Sequence, residues 1–272
     1  MPLLRTDHAP SRSRTKGNGY VVRGMAFSPD STKLAVAQSD NIVFVYRLGA
    51  EWGEKKSICN KFQARSAARF LTLLPTCPLC VALRGVPWRS TQDCLDGGTT
   101  RPLQVSSSVT TVVWPAQSPN HLFFGTSEGK IYVGNLRTNK ADAILKHPEG
   151  SYVVSLAAGP DGLAMLSGHV DGSIIRFSAQ EGLPAEPLAR HDCPPYALGW
   201  GHSIVAAGSD CKVSFLSAKG SVSKQFSFVG EESGTGGREF SCCCVSPGGD
   251  TVALGSYDRL LLFKFNSKVR EG

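Results

Sequence analysis

Cys77-Pro78-Leu79-Cys80 has the spacing of half a zinc site. A tetrahedral structural ion needs two more ligands. Neither a second Cys-x-x-Cys nor a His-x-x-x-His follows, and only Cys94 is near. Free thiols are therefore expected there. Cys242-Cys243-Cys244 sits at strand spacing, so 242 and 244 share one face and 243 lies on the other. Small apolar fillers suit such positions better than chelation from a flat strand. His191-Asp192-Cys193 puts an imidazole and a thiol in one tripeptide, the pairing that activates a cysteine nucleophile. Neighbouring residues on an extended chain point apart, however, and Pro194-Pro195 follows with no Gly-rich oxyanion loop. His169, within Ser167-Gly168-His169, is expected to make a turn or core hydrogen bond rather than ligate a metal. The GxxxxGK[ST] phosphate loop is absent, as is GxGxxG after a strand. Gly234-Thr235-Gly236-Gly237 reads as a linker between strands, and no paired carboxylates converge at a recognisable spacing. No catalytic residue, cofactor or metal is expected, and the chain does not read as an enzyme.

What the sequence carries instead is repetition. Five stretches read as strand, turn, strand, acidic turn, strand. The acidic turns are Ser39-Asp40-Asn41, Ser127-Glu128-Gly129, Val170-Asp171-Gly172, Ser209-Asp210-Cys211 and Tyr257-Asp258-Arg259. Asp, Asn and Gly tolerate positive φ, and Asp accepts backbone N–H bonds in tight hairpins. Asp40, Glu128, Asp171, Asp210 and Asp258 are therefore expected to hold the turns of the repeat rather than to touch a ligand. In the first stretch Val21 to Phe27 is a strand, Ser28-Pro29-Asp30-Ser31 a turn, and Lys33 to Ala37 a second strand. Ile42 to Tyr46 is a short apolar run, the pattern of a strand buried on both faces. Gly159-Pro160-Asp161-Gly162 and Ser246-Pro247-Gly248-Gly249 are the corresponding turns later on. The stretches from Val109 to Asn135 and from Tyr196 to Leu216 are looser, and each needs a fourth strand from the segment that follows. Four-stranded units repeating every 40–45 residues or so define a WD-repeat β-propeller. The expected fold is all-β, a propeller of about five blades, incomplete or open. Tyr46 and Phe177 stand where the usual Trp of the Trp-Asp dipeptide would pack.

Intervals between the acidic markers are 43, 39 and 48 residues from Glu128 onward, but 88 between Asp40 and Glu128. Residues 64–104 supply the excess. They are rich in Arg, Pro and Cys, show no acidic turn between paired strands, and read as a disordered insertion. Residues 1–19 read as a disordered basic tail and 267–272 as a second tail. That leaves 20–63 as one blade with its linker and 105–266 as four further blades. The net charge of +7 follows this division. Residues 1–19 contribute +3 and residues 64–104 another +3, so the repeats are nearly neutral. A hydrophobic fraction of 41% suits an ordered globular protein, and no apolar run is long enough to span a bilayer. Met1-Pro2-Leu3-Leu4 is followed by Arg5 and Asp7 without an apolar core, so no secretory signal is expected. Nine scattered cysteines suit a reducing compartment.

The run from Tyr20 to Phe62, together with LSGHVDGSIIRF (166–177), CPPYALGW (193–200), SIVAAGSDCKV (203–213) and SPGGDTVALGSYDRLLLF (246–263), closely resembles one family. It is that of intraflagellar transport protein 172, a WD-repeat subunit of transport complex B in cilia. The resemblance covers roughly 20–63 and 105–266. It implies two N-terminal propellers followed by a helical-repeat solenoid, of which this chain would hold part of the first propeller. It also implies that a segment like Cys59-Asn60-Lys61-Phe62 runs almost directly into a strand like Val105 to Trp114. The intervening residues therefore read as a retained intron or misassigned exon.

The expected function is a non-enzymatic interaction scaffold, because rigid blades display loops and strand edges to partners. By resemblance, it belongs to intraflagellar transport particle B and serves cilium assembly and transport along the axoneme. The partners would be other complex B subunits, and the location the cilium, its basal body and the cytoplasm. No small-molecule substrate is expected. The alternative is a basic module binding anionic membrane or nucleic acid, supported by the Arg-bearing segments.

Overall fold

The computed structural model describes residues 21–39, 41–49, 57–63, 108–178, 184–228, 239–256 and 259–265. All regular structure among them is β. Blade 1 comprises β1 (Val22–Phe27), β2 (Lys33–Gln38), β3 (Ile42–Arg47) and β4 (Ser57–Gln63). Blade 2 comprises β5 (Val109–Val113), β6 (His121–Thr126), β7 (Lys130–Asn135) and β8 (Lys140–Lys146). Blade 3 holds β9 (Val153–Ala158), β10 (Ala164–His169), β11 (Ser173–Ser178) and β12 (Glu186–Arg190). Blade 4 holds β13 (Ala197–Trp200), β14 (Ile204–Ala207), β15 (Lys212–Leu216) and β16 (Val222–Ser227). Blade 5 shows β17 (Cys242–Val245), β18 (Thr251–Gly255) and β19 (Leu260–Lys264). Each blade is an antiparallel meander in chain order. The five blades form a WD-type propeller. The fourth strands that the looser second and fourth stretches lacked are β8 and β16, taken from the links that follow them.

Turn chemistry fixes the hairpins. Asp30 accepts from the Thr32 amide at 3.1 Å and its hydroxyl at 2.9 Å, and it also receives the Ser28 hydroxyl. These bonds, that from Ser28 first, hold its carboxyl down at about 2. Asp161 accepts from the Leu163 and Ala164 amides in the equivalent turn of blade 3, where Gly162 takes φ 66°. In blade 5 the Ser246 hydroxyl donates to Asp250 at 2.8 Å and accepts the Thr251 amide at 3.0 Å.

Blades stack in sequence through their innermost strands, β1 on β5, β5 on β9, β9 on β13 and β13 on β17. Four apolar clusters fill the four junctions. Central strands covered on both sides are buried beyond their first residue, as in β6 and β10, or throughout, as in β14. The third strand of blade 1 departs from its sequence pattern. Val43 and Val45 are buried, but Phe44 and Tyr46 are only half-buried. Among the described residues blade 2 covers one face of blade 1, and no comparable packing joins blade 1 to blade 5. The arrangement of the described residues is open, not a closed ring.

The repeat makes this asymmetry quantitative. Met25, Phe27, Leu34, Val36 and Phe44 of blade 1 occupy the positions of Val112, Trp114, Leu122, Phe124 and Tyr132 in blade 2. The blade 2 set forms the buried cluster against Ala35, Ala37, Val43, Val45 and Phe62. Phe124 stacks on Tyr132 with ring centroids 5.4 Å apart. The blade 1 set faces outward, with Met25 64% and Phe27 59% exposed. Truncating Phe124 to Ala should therefore lower stability by about 3–5 kcal/mol. Phe27→Ala should change it by no more than about 0.5 kcal/mol. Denaturant unfolding of the two variants measures the contrast.

Candidate interaction surfaces and polar junctions

The acidic turns differ in what they hold. Asp40 and Asp258 lie outside the described residues. Glu128 pairs with Lys130, the first residue of the following strand in its own hairpin, at 2.8 Å, while Gly129 takes φ 71°. Asp210 accepts the Lys212 amide at 3.2 Å beside Cys211, which takes φ 60°. Asp171 is the most connected. Its Oδ1 accepts the Ser151 hydroxyl at 3.0 Å, the Ser173 amide at 3.2 Å and the Ser173 hydroxyl at 2.7 Å. His147, at the end of the link from blade 2, places Nε2 3.2 Å from the Ser173 hydroxyl and 3.7 Å from Asp171 Oδ2. Its Nδ1 accepts the Glu149 and Ser151 amides. The cluster thus ties the link entering blade 3 to the second hairpin of that blade.

His169 is fully buried next to it, with Nε2 2.9 Å from the Ser167 hydroxyl and Nδ1 3.1 Å from the Ser151 carbonyl. Burial pushes its pKa down, so the ring stays neutral around pH 7. Core hydrogen bonding accounts for it, as its sequence context implied.

His191 and Cys193 do not point apart, because residues two apart share a face even of an extended chain. The link bends at Asp192, and Cys193 Sγ lies 3.5 Å from His191 Nδ1. Burial nevertheless pushes the Cys193 thiol up, the opposite of what a cysteine nucleophile needs. Cys242 and Cys244 share the exposed face of β17, and Cys243 points into the junction with blade 4. Burial raises the Cys243 thiol to about 12, so it behaves as an apolar filler. Cys77 and Cys80 lie outside the described residues, as do the two segments that carry most of the net charge.

Two exposed apolar sheet faces remain. On blade 1 the cross-strand rows are Phe27–Leu34–Tyr46–Ile58 and Met25–Val36–Phe44–Lys61. The Lys61 ammonium sits 5.6 Å from the Phe44 ring centroid, so its stem covers part of the patch while its charge stays wet. On blade 5 the rows are Cys244–Ala253–Leu262 and Cys242–Gly255–Leu260, with Leu260 64% and Leu262 67% exposed. Contiguous apolar patches of this kind mark contact surfaces. Sequence reasoning assigned strands to most of these residues but not exposure, and it read the stretch holding Ile58 and Lys61 as linker where the structure has β4.

Asp171 gives a measurable handle on the polar junction. Burial works against its charge, but the bonds from Ser173 and Ser151 outweigh it and hold the carboxyl below the usual value. Its contribution is therefore complete above the ordinary aspartate pKa and is lost as pH falls through the lower folded value. Asp171→Ala should lower stability near pH 7 by about 1–3 kcal/mol, because it strands several donors. The difference from the parent chain should shrink as pH drops below about 4. Urea unfolding across pH 2–7 checks both.

Residues 10–47 match the family described as "WD domain, G-beta repeat". Nearly the whole chain aligns with curated relatives. It is 41% identical over 258 residues, 92% of its length, to intraflagellar transport protein 172 of Chlamydomonas reinhardtii. It is 38% identical over 260 residues, 94% of its length, to the human homologue of that protein. Identity to the Caenorhabditis elegans intraflagellar transport protein osm-1 is 30% over 250 residues. In each case the chain spans about 12% of the relative's length. The chain is therefore homologous, over almost its whole length, to one stretch of the intraflagellar transport protein 172 homologues.

Proposed function

We propose that this chain is a non-enzymatic scaffold of intraflagellar transport particle B. It contributes to cilium assembly and to transport along the axoneme. Its partners are other complex B subunits, and its locations are the cilium, the ciliary basal body and the cytoplasm. The blade turns, including Asp40, Glu128, Asp171, Asp210 and Asp258, serve to keep the display surfaces rigid.

The observation that carries this reading is the pair of exposed apolar faces on a stack homologous to a transport-particle subunit. Rigid sheets bearing aromatic and aliphatic side chains bind through a few buried anchors. Phe27, Phe44 and Tyr46 on blade 1 are anchors of that type. A groove of about 420 Å³ is lined by Leu163, Phe177, Pro184 and the Arg176–Glu186 ion pair. The exposed Arg176–Glu186 pair, with Arg176 also donating to the Ala218 carbonyl at 3.2 Å, suits recognition better than chemistry.

The experiment is affinity purification of the tagged chain from ciliated cells, scored by quantitative mass spectrometry. Complex B subunits should be enriched with the parent chain. Phe44→Glu should reduce that enrichment by tenfold or more, at an unchanged far-ultraviolet circular dichroism spectrum. Equal recovery of complex B with and without the tagged chain would refute the assignment.

A further inference from the structure

The junction between blades 3 and 4 repeats the polar cluster of the junction before it, with three changes. His191 and Asp210 stand where His147 and Asp171 stand in the earlier junction. Ser173, which satisfies both members of the first pair, is replaced by Lys212. The Lys212 ammonium lies 3.0 Å from Asp192 and pairs with that carboxylate. Ser151, the other hydroxyl on Asp171, is replaced by Pro195. A thiol, Cys193, takes the place of Glu149.

The result is a buried site with unmet bonding capacity. His191 is 8% exposed, and its Nε2 has no partner. Asp210 Oδ2 is likewise buried and without a partner, while Oδ1 is used by the Lys212 amide. Leaving such buried atoms bare forfeits their hydration without a replacement bond, so a group that satisfies them is favoured. The ligand atoms of His191, Cys193 and Asp210 all lie within 4.8 Å of one another.

We propose that His191, Cys193 and Asp210 form a zinc site that fastens the link between blades 3 and 4. Thiolate, imidazole and carboxylate together favour Zn²⁺ over Mg²⁺ or Ca²⁺, which take oxygen ligands. Bonds of about 2.0–2.3 Å in a tetrahedron set ligands about 3.3–3.8 Å apart, so a contraction of about 1 Å completes the set. The imidazole is already oriented. Nδ1 lies 3.2 Å from the Cys193 carbonyl and 3.4 Å from the Cys193 amide, and Nε2 on the metal would select the tautomer in which Nδ1–H donates to that carbonyl, the backbone contact that commonly fixes a ligating histidine. Binding releases the Cys193 thiol proton to solvent. A water completes the tetrahedron as the fourth ligand, as it does at zinc sites with three protein ligands. The earlier junction has no thiol and closes with hydroxyls instead, so the proposal is specific to this one.

The test uses the full chain carrying C77S and C80S, which removes the paired thiols elsewhere, with Co²⁺ and Zn²⁺ as probes. One equivalent of Co²⁺ should give a thiolate-to-metal band in the near ultraviolet and visible bands of a four-coordinate ion. One equivalent of Zn²⁺ should displace it. C193S should abolish the ultraviolet band and weaken Zn²⁺ by more than about 100-fold, beyond the usual loss from an outer-shell contact. D210N should weaken Zn²⁺ by at least about tenfold while keeping the band, and it serves as the deciding variant if C193S does not fold. Failure of the folded background chain to take up either ion overturns the proposal. So does a zinc affinity unchanged in D210N and C193S.

Discussion

The stack depends on how closely its inner strands approach one another. A methyl group placed on Gly125 would come within 2.5 Å of Val153 Cγ1 on the next blade. On Gly199 it would come within 2.6 Å of Cys243 Sγ. No side chain fits at these two points, so glycine sets the spacing between neighbouring sheets. Everything farther from the axis follows from that spacing. Where the inner strands nearly touch, the outer strands diverge, and bulky groups such as Phe123, Met165 and Phe177 fill the widening wedge. The apolar clusters are the consequence of this geometry as much as the cause of it.

A second constraint acts on the links. Each chain segment passing from one blade to the next carries polar backbone into a partly buried corner, where water is scarce. The link into blade 3 meets this demand with an imidazole, a carboxylate and two hydroxyls that satisfy one another. The link into blade 4 keeps the imidazole and the carboxylate but loses both hydroxyls. Two solutions to one problem therefore sit side by side in a single chain. They differ because the residues at Ser173 and Lys212 do different work.

Much of this architecture can be read from the sequence, for identifiable reasons. Turns such as Ser28-Pro29-Asp30-Ser31 and Gly159-Pro160-Asp161-Gly162 are local, so their chemistry is visible in four consecutive letters. Strand identity is nearly as local. What periodicity does not carry is which sheet lies opposite a given face. Ile42 to Tyr46 has the composition of a strand covered on both sides, yet Phe44 and Tyr46 lack a covering blade among the described residues. The cluster at His191, Cys193 and Asp210 was hidden for a similar reason. Two of its members are in one tripeptide, at positions that share a face, but the third comes from a hairpin 17 residues on. Comparing the two junctions blade by blade, instead of searching for ligand spacings, is the signal that reveals it.

The open order of the blades has a further consequence for how the fold responds to stress. In the described residues each blade touches only its neighbours in sequence, so the stack is a one-dimensional chain of coupled units. Blade 3 is held from two sides, whereas blades 1 and 5 are each held from one. Local opening is then graded, lowest in free energy at the ends and highest in the middle. The surfaces best suited to meeting other proteins are thus also the ones with the most freedom to adjust. A contact made there would propagate inward as added cooperativity, and the outermost blades would act as the molecule's compliant grips.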